Sequence, residues 1–206
     1  MIKTLASDKD SVEKTASMLR DGGVVIIPTD TVYGIGCAHD NSSAIEKIIS
    51  MKGRDKDKRM ALLVSSIAMA EEYVDISPKI KIGLMEVWPG PFTGVFQKKH
   101  GGGTEGIRVP NHAFVKSLID AYGKPVLMTS ANMSGSSAHT HIMDVMHDFG
   151  DADDSVMIVD GGDIPDSMAS TVVDFTEEPP KVLRIGPVSD KYLQEVFKTS
   201  FQLYER

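Results

Sequence analysis

The sequence predicts an α/β fold built around one twisted sheet. Amphipathic helical stretches alternate with short apolar runs along most of the chain. Near the end "VMIVD", "STVVDF" and "KVLRI" follow one another with no helix between them, which predicts a mixed sheet. The 206 residues suit one sizeable domain, taken as 1–206, with a core that needs no staples.

The elements follow in order. "SDKDSVEKTASMLRDGG" reads as a helix capped near Ser7, with Val12, Ala16 and Leu19 inward and Gly22-Gly23 ending it. "VVIIP" is a short buried strand. "NSSAIEKIISMK" is a helix with Ile45, Ile48 and Ile49 on one face. "ALLV" is a strand, and "PKIKIGLMEVW" is a helix stopped by the prolines of "PGP". "TGVFQ" and "GIRVP" are strands around the loop "KKHGGGTEG". Asn111 to Tyr122 is a helix presenting Val115, Leu118 and Ile119. "PVLMTS" is a strand, and 141–149 a short helix. After the late strands, with "EEPPK" as a turn, "SDKYLQEVFKT" closes as a helix capped by Ser189.

Composition narrows the class. The formal net charge of -7 argues against a general nucleic-acid binder but leaves room for a local basic pocket. One cysteine, Cys37, excludes an internal disulfide and suits a reducing compartment. No apolar stretch resembles a signal peptide or approaches a membrane span of ~20 residues, so a cytoplasmic protein with no membrane contact is expected.

Against that acidic background, "MKGRDKDKRM" (51–60) gathers Lys52, Arg54, Lys56, Lys58 and Arg59. A lysine point charge beside an arginine fork suits phosphate. Cations that complement a helix C-terminus, or a charge run offset by Asp55 and Asp57, are the alternatives. A helix-end position predicts that Lys52 and Arg54 can be changed without disturbing the core.

"IIPTDTVYGIG" sends a strand into Thr29, Asp30, Thr31 and Tyr33, where an open α/β sheet places its ligands, although a capped turn explains the residues equally well. "MTSANMSG" repeats the pattern with Ser130, Asn132 and Ser134. Arg108 in "GIRVP" and Arg184 in "VLRIG" sit in strands, either facing solvent or holding an anion. His139, His141 and His147 match no metal-ligand spacing and read as surface residues. The loop "HGGGTEG" lacks the Lys-Ser/Thr ending of a P-loop.

"PTDTVYGIG", "KGR", "WPGPFT", "GIRVP", "TSANMSG" and "STVVDF…VLRIG" stand in the order that resembles the YrdC/TsaC family, the threonylcarbamoyl-AMP synthases. The resemblance runs from about residue 8 to about residue 190, and the K-x-R…S-x-N pair is its most informative part. It implies a YrdC-like fold, a twisted mixed sheet with flanking helices around a deep, locally basic cavity. It implies synthesis of threonylcarbamoyl-adenylate from ATP, L-threonine and bicarbonate. A partner tRNA threonylcarbamoyl transferase would then modify adenosine 37 of tRNAs reading ANN codons.

By the same resemblance, Lys52 and Arg54 are the catalytic pair and hold the phosphates, with Thr104, Ser130, Asn132 and Arg184 on the nucleotide. Thr29, Arg108 and Ser170 take threonine, and Mg²⁺ arrives with the triphosphate rather than in a protein cage. Three features depart from the family pattern. Asp55 and Arg59 stand where prolines are common. "ALLV" lacks a histidine found in some members. The chain ends at Arg206, as a short form without a C-terminal domain would. The alternative function is an RNA-binding module of the same fold, for which the acidic balance allows only weak contact with tRNA or double-stranded RNA.

Overall fold

The computed structural model describes residues 1–55, 59–165 and 167–203. The strands are β1 (Ile2–Leu5), β2 (Val24–Ile27), β3 (Gly34–Ala38), β4 (Ala61–Leu63), β5 (Phe92–Gln97), β6 (Thr104–Arg108), β7 (Val126–Ser130), β8 (Val156–Asp160), β9 (Thr171–Asp174), β10 (Lys181–Arg184) and β11 (Gln202–Leu203). The helices are α1 (Ser11–Arg20), α2 (Ser42–Lys52), α3 (Ile67–Tyr73), α4 (Pro78–Val87), α5 (Ala113–Tyr122), α6 (Ile142–Phe149) and α7 (Asp190–Phe197).

All the strands join one sheet in the order β1-β8-β2-β3-β7-β4-β6-β5-β9-β10-β11. Its pairings are both parallel, as in β4/β6 and β5/β9, and antiparallel, as in β3/β7 and β5/β6. The mixed sheet is therefore as expected, but the late strands are not neighbours throughout. β8 lies between β1 and β2, whereas β9 pairs with β5, and β2, β3, β7, β4, β6 and β5 separate the two. The connection after β8 must cross the sheet, and it carries Ser170 with it. Tyr33 anchors this connection where it leaves β8: its hydroxyl donates to the Gly162 carbonyl at 2.6 Å and accepts from the Gly161 amide at 3.1 Å.

The run "VVII" is apolar throughout because β2 is covered on both faces. Val25 and Ile27 pack with Leu19, Leu118 and Ile119 of α1 and α5. Val24 and Ile26 pack with Ile48, Val145 and Phe149 of α2 and α6. A third cluster holds the β5–β6 end, where Phe92, Phe96 and Trp88 meet Leu84 of α4 and Phe197 of α7. Cys37 is buried in β3, where desolvation, and secondarily the charge of Asp40, push its thiol up to about 12.

Some boundaries differ from the sequence expectation. α1 starts at Ser11 rather than near Ser7, and its first turn is tied by the Ser11 hydroxyl, which donates to the carbonyls of Asp8 and Ala6. Short or edge elements β1, α3 and β11 carry too few periodic residues to announce themselves, and β3 is hidden because Ile35 is the one strong β-former in "GIGCA". Ser189 does cap α7, accepting from the Tyr192 amide. Among the described residues no helix is long and apolar enough to cross a membrane.

Candidate active site

One face of the sheet's middle strands encloses a cavity of about 270 Å³. Strand alternation selects its walls: Ala61 and Leu63 from β4, Thr93 and Val95 from β5, Gly106 and Arg108 from β6, Met128 and Ser130 from β7. Thr29 and Thr31 close it from the β2–β3 loop, and Ser170 and Arg184 from the far half of the sheet.

Small residues make the hollow. A Cβ placed on Gly106 would meet Ala61 and Thr93 at ordinary contact distances of 3.6 and 3.7 Å, so the backbone accepts a side chain there. Anything longer must project into the cavity. Gly106→Leu is expected to keep a melting temperature near wild type while weakening ligand binding at least about tenfold, ~1.4 kcal/mol. Thermal unfolding and calorimetry together check this.

The "KGR" triplet acts through its helix end. Lys52 is the last residue of α2, and Gly53 takes the left-handed conformation (φ 56°) that lets the chain leave at once. The Arg54 amide then returns to the Ile49 carbonyl at 3.0 Å. Lys52 is directed inward instead of outward. Its residue is only 3% exposed, and Nζ donates to the carbonyls of Ser130 and Asn132, each at 2.5 Å. The Ser134 amide in turn donates to the Lys52 carbonyl at 2.8 Å. Lys52 thus bolts the "SAN" turn to α2. The expectation of a tolerant, surface-like helix end fails for this residue.

Arg54 turns toward β7. Its guanidinium donates to the Thr129 hydroxyl and to the Arg59 carbonyl, both at 2.6 Å. Its Nε is buried with no partner among the described residues, and desolvation lowers its pKa. Arg59 lines the cavity and hydrogen-bonds the Thr104 hydroxyl at the start of β6. Lys56 and Lys58 lie outside the described residues.

The "SAN" turn is self-braced. The Ser130 hydroxyl donates to Asn132 Oδ1 at 2.5 Å, and Asn132 Nδ2 donates to the carbonyls of Met133 and Ser136. Ser130 lines the cavity, whereas Asn132 shapes the turn behind it. His139 is partly buried rather than on the surface: its Nε2 lies 2.6 Å from Asp148, which also accepts from the Met133 amide. His141 pairs with Asp163 at 3.5 Å and His147 with Asp148 at 3.2 Å.

Arg108 is the most constrained charge. It is 7% exposed and donates to Asp30 Oδ1 at 2.5 Å, to the Thr31 hydroxyl at 2.9 Å and to the Gly90 carbonyl at 3.1 Å. Burial lowers its pKa, and the Asp30 charge opposes that shift. Thr29 organises the loop that supplies these partners, accepting from the Thr31 and Val32 amides and donating to the Val32 carbonyl. Ser170 pairs with Thr93 at 2.9 Å and accepts from Arg184 at 3.1 Å, while Arg184 Nε donates to the Ser170 carbonyl at 2.8 Å. The register shift between Val182 and Arg184 turns both Leu183 and Arg184 to the cavity. Burial, and then the nearby Arg108 charge, lower the Arg184 pKa.

Thr29, Arg108, Ser130, Ser170 and Arg184 therefore share the cavity wall. Lys52, Arg54 and Asn132 brace it, and Thr104 lies in a neighbouring concavity whose wall also includes Arg59. The parts of this wall that the sequence hid are Thr93, Thr129 and the place of Asp30 as counter-ion to Arg108. The alternation of β5 hinted at Thr93, whereas Thr129 lies between two cavity-facing residues of β7 and is found only through its bond to Arg54.

The Sua5/YciO/YrdC family model, described as telomere recombination, matches residues 17–186. The chain belongs to that family. Among its relatives are proteins named threonylcarbamoyl-AMP synthase from Bacillus subtilis (32% identical, covering 93% of this chain and 58% of the relative) and Pyrococcus abyssi (32%, covering 88% and 55%). This family member thus spans little more than half the length of those two. A third relative of the same name, from Photobacterium profundum, is 31% identical over 69% of this chain and 83% of its own. The solved structure of P. abyssi Sua5 complexed with L-threonine superposes with a TM-score of 0.88 at 27% identity, covering 98% of this chain and 61% of the other. E. coli YciO shares the fold, with a TM-score of 0.83 at 23% identity over 93% and 97% of the two chains.

Proposed function

We propose that this protein makes L-threonylcarbamoyl-adenylate from ATP, L-threonine and bicarbonate, releasing pyrophosphate. The observation that carries this reading is a cavity lined by Arg59, Arg108 and Arg184 together with threonines and serines, on a chain of net charge -7. Family membership supports it, through relatives named for this activity and the threonine complex of P. abyssi Sua5.

The threonine amine captures bicarbonate as a carbamate, losing water. A carbamate oxygen then attacks the α-phosphorus of ATP, and pyrophosphate departs. Both reactants are anions, so the site must offset their repulsion and hold them in line. Arg108 and Ser170 orient the threonine end, with Thr29 holding the loop beside it. Ser130 and Arg184 meet the nucleotide. Lys52, Arg54 and Asn132 keep the phosphate wall fixed, so little reorganisation is needed as charge moves onto pyrophosphate. Mg²⁺ enters as part of the nucleotide substrate. The product serves a cytoplasmic tRNA threonylcarbamoyl transferase acting on adenosine 37 of tRNAs that read ANN codons.

The test is pyrophosphate release from ATP with threonine and bicarbonate supplied together or singly, with the adduct identified by chromatography. Release that needs both co-substrates is expected. Release that ignores threonine, or none at all, would overturn the reading.

A further inference from the structure

We propose that Arg59 is a polyphosphate ligand, a third cation of the site that this chain supplies from the approach to β4. The inference deepens the synthase reading and rests on it for the identity of the natural anion. Three facts support it.

First, Arg59 lines the same cavity as Arg108 and Arg184 but is differently committed. Arg108 already holds a carboxylate at 2.5 Å, and Arg184 is turned to the backbone and hydroxyl of Ser170. The Arg59 guanidinium, among the described residues, meets only the neutral hydroxyl of Thr104. Hydrogen bonds to ionised oxygens are roughly twice as strong as neutral ones, so a phosphate competes readily with that hydroxyl.

Second, Arg59 is exposed while its backbone is held. Its carbonyl accepts from Arg54 at 2.6 Å, and Arg54 is itself fixed to Thr129 of β7. The side chain is free to swing from a backbone anchored to the phosphate wall. Little order must be lost elsewhere for it to reach an anion.

Third, Arg59 also borders the neighbouring concavity that contains Thr104, so it stands at the boundary between the two hollows.

The test uses inorganic pyrophosphate, AMP and ATP as probes, titrated calorimetrically against wild type and Arg59→Gln. Glutamine keeps a hydrogen-bonding group for Thr104 and removes the charge. The expected result is about a tenfold loss of affinity for pyrophosphate and ATP, with AMP affinity and the circular dichroism spectrum unchanged. Arg59→Lys should restore part of the lost affinity, because a charge returns without the fork. A uniform loss for AMP as well would mean that Arg59 merely braces the wall, and would overturn the proposal. So would pyrophosphate affinity that is unchanged in Arg59→Gln, or a wild type that binds no pyrophosphate. If pyrophosphate binding depends on Arg59 while no threonylcarbamoyl-adenylate forms, the synthase reading falls and the assignment of Arg59 stands.

Discussion

Arg108→Ala is expected to cost about 3–5 kcal/mol of stability, because it strands the Asp30 carboxylate in a site where that side chain is only 11% exposed. Asp30 would keep the Asn111 amide at 3.0 Å and lose its cationic partner. Threonine affinity should fall at least about tenfold in the same variant. Separating the two effects requires the double variant Asp30→Ala/Arg108→Ala. Without the stranded charge it should recover part of the stability. Threonine binding should not return, because the guanidinium is still missing. Chemical denaturation and calorimetry measure the two quantities. Wild-type threonine affinity in either Arg108 variant would remove Arg108 from the binding site and leave it as a loop anchor.

Lys52→Ala should lose both stability and synthesis. The Lys52 ammonium serves the carbonyls of Ser130 and Asn132, and leaving such buried acceptors unsatisfied costs about 1–3 kcal/mol each. For a chain of this size that corresponds to a melting temperature lowered by roughly 2–4 °C per kcal/mol. The "SAN" turn also loses its side-chain ties to α2, keeping only the backbone bond from the Ser134 amide to the residue 52 carbonyl, and Ser130 is freer to move relative to Arg54. Loss of one preorganised group at a charged transition state typically costs on the order of 10²–10³ in turnover. Product formation should be assayed well below the melting temperature, so that unfolding does not enter. Lys52→Met, which fills the same space without the charge, should show the same loss of synthesis. Near wild-type synthesis by either variant would show that the turn holds its geometry unaided.

The two residues show how much of the site could be read from the chain. "KGR" and "SAN" stand out because they break the surrounding pattern: cations at a helix end, polar residues at a strand end. Their spacing also has a local cause. Gly53 in the left-handed region permits Lys52 and Arg54 to leave one helix terminus in different directions. What the chain does not reveal is that the Lys52 ammonium meets carbonyls rather than solvent, since its partners lie 78 and 80 residues away. Arg108 is similar. A strand arginine signals a need for a partner, and Asp30, 78 residues earlier, supplies one through a loop whose path depends on the β2–β3 pairing.

The sequence by itself determined the local rules of this protein. Apolar periodicity set most of the helices. The unbroken "VVII" announced a strand covered on both faces, and the glycines and prolines marked where the chain turns. The motif order pointed to the family. Tertiary structure decided the rest. Strand order separates β8 from β9 and carries Ser170 across the sheet to the cavity, and the bulge in β10 turns Arg184 toward it. Strand periodicity states that alternate residues share a face, but not which strand lies next to which or which face will be roofed. Those choices depend on the packing of distant segments, and they are what gather an arginine from β6, a serine from β7 and an arginine from β10 around one hollow.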